Sequence, residues 1–143
     1  MGQTNVDKAR LNMIEQQVRP WDVFDDRVLD AMASTPRERF VPEQYCNLAF
    51  SDLELPIGND ETMLAPKIEG RILQALNIQP DDSVLEIGTG SGYLTACMAK
   101  LARHVDTIDI HSDASNAARQ LLTGLSIENV KFMTGDAFSE LDS

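Results

Sequence analysis

The sequence has few of the residues from which metal centres and disulfide frameworks are built. Its 143 residues include two cysteines, two histidines and one tryptophan. Cys46 and Cys97 lack the paired spacing of metal ligands and the density of a secreted disulfide scaffold, so we expect reduced thiols that serve as small apolar side chains in a cytoplasmic protein. No metal site is expected. The tryptophan, Trp21, is predicted to pack between the first two helices.

The sequence is also short of positive charge and of long apolar runs. It has 12 Lys and Arg against 23 Asp and Glu, and its formal net charge is −11. Proteins that bind a phosphate backbone depend on clustered Lys and Arg, so no nucleic-acid partner is expected. No stretch approaches the about 20 apolar residues of a membrane span, so no membrane partner is expected either. With 43% hydrophobic residues the chain can still bury a core.

Residues 1–65 are predicted to form a subdomain of helices and loops. Apolar residues recur at helical spacing over residues 6–18, where Asn5 is available as an N-cap, and again over residues 25–33. Thr35 precedes a proline and stands three residues before a glutamate, which is the pattern of a cap for a short third helix or a turn.

The connection that follows has no clear period. Residues 47–61 contain Gly58-Asn59-Asp60, which is typical of a turn, and an extended or looped connection is predicted there. A fourth helix is predicted to open at Pro66, because proline is favoured at the first helical position.

Residues 66–143 change to alternating strands and helices. Helices of ten or more residues between short strands favour right-handed crossovers and a parallel sheet. The predicted fold is therefore α/β and Rossmann-like, with three strands of a parallel sheet after an N-terminal helical subdomain. The strands are predicted at 83–87, 105–110 and 130–133, and the helices between them at 93–102 and 112–125.

The most informative segment is the glycine-rich loop between the first of these strands and its helix. Gly88, Gly90 and Gly92 permit a tight turn and let a ligand approach the backbone at a helix N-terminus. A dinucleotide fingerprint requires a sixth-position glycine, where this chain has Tyr93. The G-x-G-x-G pattern preceded by Glu86 is instead that of S-adenosylmethionine enzymes.

Two further acids follow the next two predicted strands. Asp109 lies where a carboxylate can accept hydrogen bonds from a ribose diol, and Asp136 lies where it can accept from an adenine amine. Either acid alone is more often a solvated loop residue. Together with Glu86 they lie at the ends of three successive strands, the edge at which ligands bind, and they suit a cofactor with a sulfonium and an ammonium group.

Four segments resemble, in order, those of the bacterial protein-L-isoaspartate O-methyltransferases. They are Pro36-Arg37-Glu38-Arg39-Phe40-Val41, Leu55-Pro56-Ile57-Gly58, the loop at residues 84–93, and Asn129-Val130 through Gly135-Asp136. The resemblance implies S-adenosylmethionine as cofactor and an isoaspartyl peptide or protein as substrate. It implies the following cofactor contacts: Glu86, Gly88, Thr89, Gly90, Ser91 and Gly92 for the methionine part, Asp109 and Ile110 for the ribose, and Asp136 and Ala137 for the adenine.

The chain departs from the family pattern in two places. Where the family has a Thr-Ile-Ser-x-Pro segment, this chain has Thr62-Met63-Leu64-Ala65-Pro66, so Leu64 replaces the active-site serine and Thr62 becomes the candidate to orient the acceptor. Similar enzymes also continue beyond a third strand. The strand at 83–87 is therefore expected to have an open edge and a bare face, covered by self-association or by the N-terminal helices.

Two other classes of function remain open at this point. One is a non-catalytic protein that binds the cofactor or a partner. The other is a methyltransferase of the same fold that acts on another carboxylate or on a small molecule.

Overall fold

The computed structural model describes residues 2–141, with side chains described as far as residue 139. Six α-helices and five strands are seen in this part of the chain. In chain order they are α1 (Gln3–Met13), α2 (Asp26–Ser34), β1 (Leu55–Gly58), β2 (Glu61–Met63), α3 (Pro66–Leu76), β3 (Ser83–Ile87), α4 (Tyr93–Leu101), β4 (His104–Asp109), α5 (Ser112–Gly124), β5 (Val130–Thr134) and α6 (Ala137–Leu141).

The main sheet is parallel, as predicted. Its order is β3-β4-β5, with Val84 opposite Val105 and Val105 opposite Val130. The predicted bounds of β3 are correct, those of β4 differ by one residue at each end, and those of β5 differ by one residue at the C-terminal end. Because the strands are parallel, their carboxyl ends meet at one edge, where Ile87 is paired with Ile108 and Asp109 with Thr134.

The two faces of this sheet have different environments. One face lies under α4 and α5, and there Val105 is fully buried and Val84 is partly buried against the same core. On the other face Leu85 is 47% exposed and Ile87 is 64% exposed. The expectation of a bare face is therefore correct for these two side chains, whereas Val105 and Ile108, which were expected to be partly wet, are buried.

The N-terminal helices follow the predicted periodicity with different ends. The first helix begins at Gln3 with Gly2 as its N-cap, so Asn5 is not a cap, and beyond Met13 it continues as a π-helical turn. The second helix is capped by Asp25, whose carboxylate accepts from two backbone amides. Thr35 caps nothing, because its hydroxyl donates to the carbonyl of Ala31.

These helices pack on α3 and α4 and leave Leu85 and Ile87 exposed. The idea that they swing onto that face is therefore wrong. Trp21 also differs from its prediction, since it is 45% exposed and the Nζ atom of Lys67 lies 4.4 Å from its ring centroid. Cys97 is buried as expected for an apolar filler, whereas Cys46 is exposed.

The segment predicted to be extended or looped contains an antiparallel hairpin. Strands β1 and β2 pair Leu55 with Met63 and Pro56 with Thr62, and the turn between them uses positive backbone φ angles at Asn59 and Asp60. The hairpin brings β2 and the start of α3 close to the glycine loop. The short helix α6 was also not predicted.

One cluster of buried apolar side chains includes residues from both predicted subdomains, from Met13 to Leu122. The division of the chain at residue 65 stays a prediction. Within residues 2–141, no helix is long and apolar enough to cross a membrane.

Candidate functional site

The loop from β3 to α4 depends on three backbone conformations that favour glycine. The φ angles of Gly88, Gly90 and Gly92 are +94°, +55° and +88°, and side chains rarely adopt this region. At Gly92 a Cβ atom would also lie 2.8 Å from the Cβ atom of Ala118 in α5. Glycine at this position therefore lets α4 begin in close contact with α5.

Hydrogen bonds fix this loop to the neighbouring strand. The amide of Gly88 donates to the carbonyl of Ile108 at 2.7 Å, and the amide of Gly92 donates to the carbonyl of Thr89 at 2.9 Å. The hydroxyls of Thr89 and Thr107 are 2.7 Å apart and both residues are buried. The Thr89 side chain thus ties the loop to β4, while Ser91 is partly exposed.

Glu86 lies below the loop on the helix-covered face of β3. Its carboxylate accepts hydrogen bonds from the hydroxyls of Thr95 and Thr107, the latter at 2.7 Å. Burial raises the pKa of Glu86 to about 7, the two threonine hydroxyls oppose the shift, and the nearby charge of Asp109 adds to it. A cation bound nearby would favour the ionised form of this carboxyl.

Asp109 is the best organised of the predicted ligand-binding acids. Its Oδ2 accepts from the amide of Gly90 at 3.0 Å, and its Oδ1 accepts from the amide of His111 at 2.8 Å. Each carboxylate oxygen has two lone pairs, so each can still accept one further donor. A diol presents two such donors. The orientation of the carboxylate is set by backbone amides and so does not depend on a ligand.

Asp136 lies at the neighbouring strand end but in a more open setting. The amide of Gly135 donates to the carbonyl of Asp109 at 2.9 Å, which joins the two strand ends. The Oδ1 atom of Asp136 accepts from the amide of Phe138 at 2.9 Å, and the residue is exposed. Ala137, the next residue, is buried, and Ile110, directly after β4, is exposed.

A cavity of about 130 Å³ separates the glycine loop from the hairpin and α3. Thr62 and Leu64 lie on one wall, and Glu86 lines the cavity with the loop residues. The Thr62 hydroxyl donates to the Oε2 atom of Glu54 at 3.4 Å. The structure thus places Thr62 and Leu64, from the segment that departs from the family pattern, beside the glycine loop. The apolar Leu64 side chain has no group that could bond an acceptor.

Two residues of this region were not predicted from the sequence. Glu61, at the start of β2, and His111, after β4, have side-chain oxygen and nitrogen atoms that lie with those of Asp109 within 4.8 Å of one another. They form the one set in residues 2–141 close enough to share a metal ion. The hairpin brings Glu61 to this position, and the Nδ2 atom of Asn59 bonds Asp113 at 3.3 Å beside it. The signal in the sequence was the turn at Gly58-Asn59-Asp60.

The site therefore combines a buried acid, Asp109, a partly buried acid, Glu86, and an exposed acid, Asp136, with the glycine loop at the carboxyl edge of a parallel sheet. This arrangement defines a Rossmann-like methyltransferase fold with a strongly acidic ligand edge. A solved structure of a protein-L-isoaspartate O-methyltransferase shares the fold, with a TM-score of 0.75 and 24% identity, over 92% of this chain and 42% of that chain. A second structure that shares the fold is described as a putative protein-L-isoaspartate O-methyltransferase from Plasmodium falciparum in complex with S-adenosyl-L-homocysteine. Its TM-score is 0.71 and its identity 22%, over 92% of this chain and 62% of that chain.

The family is shown by comparison of sequences. The model of the protein-L-isoaspartate(D-aspartate) O-methyltransferase family matches residues 8–140, so the chain belongs to this family. The protein-L-isoaspartate O-methyltransferase of Koribacter versatilis is 44% identical over 131 residues, which are 92% of this chain and 58% of that protein. That of Jannaschia sp. is 39% identical over 133 residues, 93% of this chain and 60% of that protein. The chain thus spans about three fifths of the length of these relatives.

The raised pKa of Glu86 predicts that this group stabilises the fold more at low pH. Its ordinary value is 4.5 and its folded value is about 7. Between these values the folded chain keeps a proton that the unfolded chain releases, so the contribution is complete below pH 4.5 and is lost as the pH rises through 7. We expect Glu86→Gln to reduce the fall in unfolding free energy between pH 5 and pH 8 by about 1–3 kcal/mol.

Urea denaturation of the parent chain and of Glu86→Gln at pH 5, 6.5 and 8 measures this difference. Glu128→Gln, which makes the same change at an exposed position, should leave the pH dependence as it is. Equal pH slopes for the parent and Glu86→Gln would contradict the prediction.

Proposed function

We propose that this chain binds S-adenosylmethionine, and that the whole protein transfers its methyl group to the side-chain carboxylate of isoaspartyl residues in peptides or proteins. The observation that carries the proposal is the carboxylate of Asp109, held by two backbone amides with a free lone pair on each oxygen beside the glycine loop. Family membership supports the same chemistry. We also propose the cytoplasm as its location.

The proposed contacts follow the three parts of the cofactor. Asp109 and Ile110 would hold the ribose, and Asp136 and Ala137 the adenine. The methionine part would lie on the loop with Glu86 beneath it, where a carboxylate favours the ammonium and sulfonium charges. The loop contacts are Gly88, Thr89, Gly90, Ser91 and Gly92.

The chemistry requires alignment more than proton transfer. Bound in this way, the cofactor would supply a methyl group attached to a positively charged sulfur, and the neutral thioether S-adenosylhomocysteine would be left when the acceptor oxygen takes that group. A carboxylate with a reference pKa of about 4 is already ionised at neutral pH, so no general base is required. The chain would contribute position and exclusion of water. Thr62, at the cavity wall, is our candidate to orient the acceptor.

Leu64 supports a second candidate function. A leucine cannot bond a carboxylate, and the cavity beside it is also lined by the carboxyls of Glu69 and Glu86. In its ionised form Glu86 would repel an anionic acceptor, whereas the charge of Glu69 is balanced by Arg37. This apolar and acidic lining would suit a methyl acceptor other than an isoaspartyl carboxylate, or a non-catalytic cofactor-binding role.

Removal of the Asp109 carboxylate should weaken cofactor binding. We expect Asp109→Ala to cost about 1–3 kcal/mol of binding free energy for S-adenosylmethionine, because charge-assisted hydrogen bonds are lost. Titration calorimetry measures the affinity, and thermal unfolding checks that the variant is folded. Asp106→Ala, in the middle of the same strand, is the matched control. An unchanged affinity for Asp109→Ala would remove this residue from the site.

Leu64 should limit methyl transfer to isoaspartyl peptides. In the whole protein we expect Leu64→Ser to raise the rate of methyl-ester formation at least about fivefold, since a hydroxyl can bond the acceptor carboxylate. The assay follows transfer of a labelled methyl group to an isoaspartyl peptide, with the matching aspartyl peptide as control. Rapid transfer with Leu64 in place would show that the serine is dispensable and would favour the main proposal over the second candidate.

We further propose that this chain associates with a second copy through β3. The edge of β3 opposite β4 pairs with no strand among the described residues, and Leu85 and Ile87 are largely exposed beside it. Parallel sheets are normally covered on both faces, and an unpaired edge favours pairing with another chain. Full burial of each such side chain contributes roughly 1.5–3 kcal/mol.

Light scattering over a range of protein concentrations tests this association. We expect a dimer or larger species that Ile87→Lys converts to monomer, because a buried lysine would lose its hydration. Leu11→Lys, at an exposed apolar position of α1, should leave the association intact. A stable monomer of the parent chain at every concentration would overturn the proposal.

A further inference from the structure

Arg37 is among the most deeply buried charged residues of the described chain. Only 1% of the residue is exposed, and its partner Glu69 in α3 is 2% exposed. Its Nε atom donates to the carbonyl of Ala49 at 2.8 Å, its Nη2 atom donates to the carbonyl of Leu64 at 2.9 Å, and its Nη1 atom donates to the carboxylate of Glu69. The guanidinium also lies over the ring of Tyr93, 4.8 Å from its centroid.

These contacts join the opposite walls of the cavity beside the glycine loop. Leu64 and Glu69 lie on the wall formed by the β2–α3 connection and α3. Tyr93 is the first residue of α4 and directly follows Gly92, the last glycine of the loop. One side chain therefore contacts both the backbone that carries the acceptor-side residues and the helix that begins at the loop.

The stability of the fold alone does not explain a charged group at this position. Burial of an ion pair costs desolvation energy, and apolar residues of similar volume are often as stabilising. Burial also raises the pKa of Glu69 to about 7, although Arg37 acts in the opposite direction. What only an arginine provides is a planar fork that bonds several acceptors in fixed directions.

We propose that Arg37, paired with Glu69, is a positioning residue that fixes the separation between the backbone at Leu64 and the glycine loop. The proposal rests on the proposed function, because this separation would determine how an acceptor meets the bound cofactor. Arg37 itself does not line the cavity and is assigned no contact with either ligand.

The test replaces the pair without leaving a charge unpaired. The double variant R37M/E69L fills the same space with apolar side chains, and R37K keeps the positive charge but loses the fork. R27M is the matched control, because Arg27 also bonds two backbone carbonyls, those of Ile78 and Leu101, at the far end of α4. Thermal unfolding, hydrogen exchange of residues 62–65 and 88–93, and S-adenosylhomocysteine affinity are measured for each variant.

We expect R37M/E69L to remain folded, with exchange at least about tenfold faster in both segments and affinity at least about fivefold weaker, since the bonds that hold the segments are lost. R37K should show the same local changes, whereas R27M should show neither. A folded R37M/E69L with parental exchange in both segments would overturn the proposal. If the double variant does not fold, R37K decides the question by the same exchange measurement.

Failure of the proposed function has a different result. If the parent chain binds neither S-adenosylhomocysteine nor S-adenosylmethionine, the cofactor assignment fails, whereas hydrogen exchange still reports whether Arg37 fixes the two segments. If R37K exchanges at the parental rate in both segments, the positive charge alone is sufficient, and the role of the planar fork is contradicted.

Discussion

The turn from β3 into α4 is the constraint on which both the packing and the site depend. The chain must leave a parallel strand and enter a helix within five residues, and it does so through three glycines with positive φ angles. This path lets Gly92 approach Ala118, which sets the distance between α4 and α5. The same path directs the amide of Gly90 to Asp109. A larger side chain at Gly92 would therefore disturb the core and the ligand edge together.

A concentration of negative charge is the second feature of the site. Burial raises the pKa of Glu86 and the charge of Asp109 adds to the shift, and the hairpin brings Glu61 to the same edge. Like charges in a partly buried site destabilise the unliganded fold. A cationic ligand would relieve this repulsion, so the arrangement costs stability in the free protein and favours binding of positive charge. Such local conflict is typical of functional sites.

Much of the sheet could be predicted from the sequence, because its signals are local and strong. The run at Ser83–Ile87 is followed directly by the glycine loop, and the helices on either side of β4 have clear periods. The hairpin was missed because its strands have four and three residues, include Pro56 and show no sustained alternation. The turn at Gly58-Asn59-Asp60 was the one signal for Glu61, and it was not sufficient, since the pairing of these strands brings Glu61 beside Asp109. The prediction for Trp21 was wrong because this side chain contacts Lys67, which is distant in sequence.

If the proposed function holds, the buried arginine would let the acceptor side of the site change its chemistry without losing its shape. Arg37 bonds the carbonyl of Leu64, and every residue type offers that carbonyl. The backbone at this position is therefore held independently of the side chain that it carries. A serine and a leucine would present their side chains from the same place, one with a hydrogen-bonding group and one without. Under the proposals above, the position of the acceptor segment and the choice of acceptor would thus be separate properties, the first carried by Arg37 and Glu69 and the second by the residue at position 64.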